Sequence, residues 1–161
     1  MKKYLSLIKF SHTIFALPFA VIGFFLAYHE SNISYLTFIY VILCMVFARS
    51  AAMAFNRYID RDIDTINPRT SEIREIPSKK INPSSALKFV ILNSILFVIT
   101  TFFINQLCFL LSPIALIIIL GYSYTKRFTF LCHFVLGIGL SLSPIGAYLA
   151  VTESFDILPI Y

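Results

Sequence analysis

Charge is scarce in this chain: Asp, Glu, Lys and Arg make up 13% of its 161 residues. That is about half the share a soluble domain needs for its surface, and the mean hydropathy of +0.83 agrees. A soluble globular domain is excluded, and an integral membrane protein is indicated. Cysteine is sparse too. Cys44, Cys108 and Cys132 are odd in number, stand singly in apolar segments and lack ligand spacing, so they are expected to be packing residues. His12, His29 and His133 are scattered and no HExxH occurs, which argues against zinc. GIGLSLSPIG has Leu142 where a nucleotide loop would need a third glycine; its small residues are expected to allow close helix packing. No small-residue cleavage pattern is clear near AYHESN, so the first apolar segment is read as a span rather than a signal peptide.

What the chain does have is a succession of apolar segments, roughly at 15–28, 33–55, 87–104, 108–122 and 130–151. Most approach the ~20 residues that a spanning helix requires. This predicts an all-α, polytopic transmembrane bundle of five spans, the first and fourth short, with tight hairpins such as the one at Asn105 and Gln106. Residues 1–161 read as a single transmembrane domain. Lys2, Lys3 and Lys9, the cations from Arg57 to Lys88, and Lys126 with Arg127 all fall in loops on one side. The other side has Glu30, Asn105, Gln106, Glu153 and Asp156 without one Lys or Arg. The basic side is therefore expected to be cytoplasmic, N-terminus included, in an inner (cytoplasmic) membrane. The net charge of +5 follows from topology and contact with the lipid membrane, and nucleic acid need not be invoked.

Against this background NRYIDRDID, Asn56 to Asp64, concentrates acid at the end of a span. If the helix continues past Phe55, Asn56, Asp60 and Asp64 recur every four residues and share a face, while Asp62 points away. Arg49, seven residues before Asn56, shares that face deeper in the membrane. It is expected to face a polar cavity, with snorkelling to the interface as the other possibility. Pro68 disfavours helix at Asn67 and ends the element, so residues 56–85 form a cytoplasmic helix end and loop. A calcium loop starting at Asp60 fails, because Thr65 stands where glycine is needed and Ser71 where a bidentate glutamate is needed.

A few oxygen ligands on one helical face suit Mg²⁺, which bridges protein carboxylates to phosphates. Arg69, Arg74, Lys79 and Lys80 in one loop, and Lys126 and Arg127 beside Tyr122 and Tyr124 in another, supply matching cations. Carboxylates and cations at one membrane face, beside an apolar interior, point to a diphosphate with a long hydrocarbon tail, a polyprenyl diphosphate.

At these residues the sequence resembles a known family. FNRYIDRDIDTINPRT is similar to the first aspartate-rich motif, NxxxDxxxD followed by NPRT, of the UbiA-type membrane prenyltransferases, and IREIPSKKI resembles the R-x-x-P-S-x-x-I run after it. GYSYTKRFT and its succeeding helix, and IKFSHTIFALPFAVIGFFLAY, resemble further segments, the last in the 4-hydroxybenzoate polyprenyltransferase branch and in related menaquinone-pathway enzymes. The resemblance implies Mg²⁺-dependent transfer of a polyprenyl group to an aromatic acid acceptor such as 4-hydroxybenzoate in ubiquinone or menaquinone biosynthesis. Asn56, Asp60 and Asp64 would then hold Mg²⁺, the two aspartates being catalytic. Arg74, Tyr122 and Lys126 would contact the diphosphate, and Arg49 would bind the acceptor carboxylate.

The family resembles a bundle of about nine spans with a second aspartate motif, which these residues lack. The expectation is an N-terminal portion that is incomplete at the C-terminus and not competent alone, a C-terminal half on a separate chain being one way to complete it. A half-size transporter, since transporters are also built from repeats, or another lipid-diphosphate-binding membrane protein is the alternative reading.

Overall fold

The computed structural model describes residues 2–27 and 34–154. His29, Glu30 and Asp156, named above, lie outside the described residues. Among the described residues eight helices follow one another: α1 (Lys2–Leu7), α2 (Phe10–Leu26), α3 (Tyr35–Ile59), α4 (Arg61–Ile66), α5 (Pro68–Ser71), α6 (Pro83–Ile104), α7 (Gln106–Phe128) and α8 (Cys132–Thr152). No strand occurs among the described residues. α3, α6, α7 and α8 are each long and apolar enough to cross a membrane, and the apolar part of α2 is shorter. The five expected spans are thus the five long elements.

Their ends follow local chemistry. Ser34 caps α3 by accepting from the Leu36 amide at 3.2 Å, and Asn82, extended before Pro83, starts α6. Asn105 alone joins α6 to α7: its side-chain oxygen accepts from the Cys108 amide at 2.7 Å and its amide donates to the Leu149 carbonyl at 2.9 Å. One buried side chain therefore caps α7 and fastens the hairpin to the end of α8. The fourth span is not short, as its hydropathy suggested; α7 runs 23 residues, with Pro113 inside it, through Tyr122 to Phe128. Backbone hydrogen bonding carries the helix beyond its apolar stretch.

α3 packs most widely on α6, and α2 on α8. At the basic end Leu7, Ile8, Ala51, Ala54, Ile76, Ile81, Ala86 and Val90 form one buried cluster. Nearer the other end Ala20, Phe24, Val41, Met45, Cys108, Ala147, Leu149 and Ala150 form a second. The segment after α5, expected as a polar loop, is thus partly core: Ile76 and Ile81 are buried. Large apolar residues such as Phe102, Phe103, Ile117 and Phe134 are exposed, as lipid-facing positions should be.

Close packing by the small residues of GIGLSLSPIG takes a different form from the one expected. A Cβ on Gly137, Gly139 or Gly146 would meet nothing within 4 Å. The tight approach is instead between Gly23 of α2 and the backbone of Pro144 in α8, where a Cβ would lie 2.3 Å from the Pro144 oxygen. Because the obstacle is backbone, Gly23→Ala must push α2 off α8, at a cost of ~1–3 kcal/mol. Its thermal midpoint in detergent should fall below that of the parent. Gly121→Ala, with nothing within 4 Å of the added carbon, should leave the midpoint unchanged or raise it through helix propensity.

Candidate diphosphate site

At 25 residues α3 is about 38 Å long, exceeding the ~30 Å hydrocarbon layer, so its C-terminal turn stands at the membrane surface. Helical hydrogen bonding carries on through the junction with α4, from the Asp60 amide to the Asn56 carbonyl at 3.0 Å and from the Asp64 amide to the Asp60 carbonyl at 2.8 Å. The four-residue spacing therefore keeps its face. Asp60 and Asp64 are 8% and 5% exposed, whereas the Asp62 side chain is 59% exposed. Asn67 is extended, ends α4 and caps α5 by accepting from the Arg69 amide.

Each inward aspartate has a cation. Arg74 is ion-paired with Asp64, and Lys126, from α7, with Asp60. With its amide turned to suit both neighbours, Asn56 donates to Asp60 at 3.2 Å and accepts from Lys126 at 2.7 Å. Asp60, Asp64, Arg74, Lys126, Arg127 and Ile63 line a pocket at this end. A second cavity, of about 590 Å³, extends into the bundle between α2, α3, α6, α7 and α8. Its walls are chiefly Ala, Ile, Leu and Val, with Arg49, Asn56 and Tyr122 among the polar exceptions. Asn56 lines this chamber while bonding Asp60 and Lys126 of the outer pocket, so the two spaces meet at that amide.

The structure thus brings together Asn56, Asp60, Asp64, Arg74 and Lys126. Tyr122 and Arg49 lie along the chamber; Arg49 thus lines a cavity, but one with chiefly apolar walls rather than the polar one expected, and its Nε is buried without a hydrogen-bond partner. Arg69, Lys79 and Lys80 are exposed and do not line the pocket. Cys44 and Cys108 are buried, as packing residues should be. Among the described residues no three His, Cys, Asp or Glu side chains gather, so the donor set for a metal is two carboxylates and one amide oxygen. Those hard oxygens on one face fit Mg²⁺ with its remaining positions held by water and phosphate.

Sequence reasoning passed over Arg57 and Glu75, both 7% exposed. Arg57 lies within electrostatic reach of Arg74, Glu75, Asp64 and Asp60. Its spacing of seven from Asp64 was the available signal, since two helical turns put both on one side. Asp62, outside the pocket, has a separate role: Arg127 donates to its carboxylate at 2.9 Å and also to the Ile59 carbonyl. This ties the α3–α4 junction to the end of α7. The hydrogen bond from Arg127 holds the Asp62 carboxyl below its ordinary value of 3.8. A depressed acid stabilises the fold above its unfolded value and loses that contribution as pH falls through the folded one. In an NMR titration the Asp62 carboxyl carbon should therefore have its midpoint below 3.8, and Arg127→Leu should move that midpoint upward; an unmoved midpoint would contradict the tie.

Comparison with known proteins identifies the fold and the family. A 4-hydroxybenzoate octaprenyltransferase of Vesicomyosocius okutanii is 36% identical over 120 residues, 74% of this chain and 44% of that protein. A protoheme IX farnesyltransferase of Blochmanniella floridana is 32% identical over 160 residues, 95% of this chain and 54% of that protein. Among solved structures, the apo form of a UbiA homolog from Aeropyrum pernix K1 superposes with a TM-score of 0.82 at 32% identity, covering 91% of this chain and 53% of that one. A UbiA homolog from Archaeoglobus fulgidus bound to GPP and Mg²⁺ has the same fold, with a TM-score of 0.78 at 23% identity, covering 96% of this chain and 56% of that one. The chain spans about half the length of the curated relatives it matches. The profile of the UbiA prenyltransferase family matches residues 16–161, and with five apolar helices around a common chamber the chain belongs to that family of multi-pass membrane proteins.

Proposed function

We propose that this chain forms the metal- and diphosphate-binding part of a prenyltransferase that moves a polyprenyl group from its diphosphate to an aromatic acceptor. The observation that carries the reading is the outer pocket itself, with two carboxylates and three cations, next to an apolar chamber that Asn56 also lines. The bound GPP and Mg²⁺ of the Archaeoglobus homolog support it.

Asn56, Asp60 and Asp64 would hold Mg²⁺, which when bound supplies Lewis-acid stabilisation of the departing diphosphate. In the structure these aspartates are neutralised by Arg74 and Lys126. With the carboxylates engaged on the metal, Arg74 and Lys126 would be available to bind the diphosphate oxygens, and Tyr122, on the chamber wall, would offer them a hydroxyl donor. Breaking the allylic C–O bond sends its electron pair to the diphosphate, where Arg74 and Lys126 stabilise the growing charge. The apolar chamber excludes water from the allylic cation until a ring carbon of the acceptor attacks it and the ring proton is lost. Arg49, with its Nε free in the chamber wall, is suited to a carboxylate on the acceptor. That chemistry fits 4-hydroxybenzoate. Protoheme is the second reading, favoured by the farnesyltransferase relative matching 95% of the chain; both acceptors belong in the assay. Because the chain spans about half its relatives, the complete reaction is proposed for it together with a second half that closes the chamber.

In membranes where such a second half is present, Asp60→Asn and Asp64→Asn should each lower prenyl transfer by about 10²-fold or more, and Asp62→Asn by far less. Equal losses at all three positions would contradict the assignment of the inward face.

The basic end is proposed to be cytoplasmic, in an inner membrane. In a Cys132→Ser background, Ser71→Cys should react with an impermeant maleimide from the cytoplasmic side and Ser154→Cys from the opposite side. Labelling of both from one side would overturn this orientation.

A further inference from the structure

The N-terminal helix α1 precedes the residues matched by the family profile, which begin at 16. In the structure it is a wedge against the segment that carries Arg74. Leu7 and Ile8 are 0% and 5% exposed and pack with Ile76 and Ile81 of that segment and with Ala51, Ala54, Ala86 and Val90 of α3 and α6. Tyr4 stacks on Phe89 of α6 with ring centroids 5.2 Å apart. The Ser6 hydroxyl donates to the buried carboxylate of Glu75, the residue next to Arg74. Lys9, with φ of 44°, makes the left-handed turn that folds α1 back from α2.

We propose that α1 is a strap fixing the Arg74 segment, and that Ser6 and Glu75 are positioning residues which hold Arg74 at Asp64. The physical reason is that residues 72–82 have little regular structure of their own. The Arg74 amide bonds to the Thr70 carbonyl, the Ser78 amide to that of Arg74 and the Ile81 amide to that of Glu75, an isolated set of turns. Such a segment keeps one conformation only where other elements hold it. α1 does so twice, through the apolar contacts of Leu7 and Ile8 and through a charge-assisted hydrogen bond to Glu75. Because Arg74 and Glu75 are neighbours, loosening one contact releases the guanidinium that the pocket depends on. The effect on the pocket rests on the proposed diphosphate site; the strap itself does not.

The test is hydrogen exchange on the full chain in lipid-containing detergent, paired with calorimetric binding of inorganic diphosphate in Mg²⁺. Ser6→Ala should speed exchange at the Arg74, Ser78 and Ile81 amides by roughly tenfold, the effect of losing one hydrogen bond to a charged group from a locally opening segment. Amides of α7 should be unaffected. Ser6→Thr keeps the hydroxyl and should restore protection, and adding Glu75→Ala to Ser6→Ala should cost little beyond the larger single effect, because the two act through one contact. Diphosphate affinity should fall severalfold in Ser6→Ala and recover in Ser6→Thr. Unchanged exchange in Ser6→Ala, or a rise spread equally into α7, would overturn the strap. A loosened segment with undiminished diphosphate affinity would overturn the positioning role. Failure of the parent chain to bind diphosphate would instead count against the proposed function, and the exchange rates alone would then decide the strap.

Discussion

A carboxylate buried among packed helices must be met by an opposite charge, because little water can reach it to solvate it. The basic end of this chain is built around that constraint. Asp60 and Asp64 are nearly inaccessible and would each be costly to bury alone; Lys126 and Arg74, brought from α7 and from the segment after α5, neutralise them. Asp62 is exposed and its partner Arg127 serves as a tie rather than as compensation for burial. The helix ends at this membrane face are thereby held together by the same ion pairs that line the pocket.

It follows that the resting site is self-complementary. Under the proposed function, a divalent cation arriving alone would have to displace Lys126 and Arg74 and leave them unmatched, and a diphosphate arriving alone would have to strip them from the aspartates and leave those unmatched. The two together would exchange both pairs, the metal meeting the carboxylates and the two cations meeting diphosphate oxygens. Asn56 would make that exchange felt in the chamber, since its amide bonds Asp60 and Lys126 and also faces the cavity. The chamber keeps its shape through contacts that need no charge: Asn105 fastens the α6–α7 hairpin to α8, and Gly23 lets α2 lie against Pro144.

Much of this was legible in the sequence where a period or a composition carries the signal. Apolar runs located the spans, and the spacing of Asn56, Asp60 and Asp64 predicted their shared face because the chain stays helical through Asp60. The charge rule put Lys126 at the same end as the aspartates, as their ion pair requires. What stayed hidden depends on contacts between distant residues. Ser6 and Glu75 are 69 positions apart, and nothing in KKYLSLIKF announces a partner. The tight glycine proved to be Gly23 rather than those of GIGLSLSPIG, because which glycine meets a neighbouring backbone is settled by helix placement. Arg74 and Lys79 look alike as loop cations by composition, and the family resemblance alone singled out Arg74; the folded segment turns the first toward Asp64 and leaves the second exposed.

The central claim is that metal and diphosphate bind as one unit because each frees the charges that the other needs. Isothermal titration of the full chain with inorganic diphosphate, at zero and at saturating Mg²⁺ and corrected for the complex formed in solution, measures this coupling. By linkage the tightening must be reciprocal. The account predicts at least a tenfold gain in diphosphate affinity with Mg²⁺, roughly 1.4 kcal/mol, and the same gain in Mg²⁺ affinity with diphosphate. Diphosphate binding of equal strength with and without the metal would contradict it.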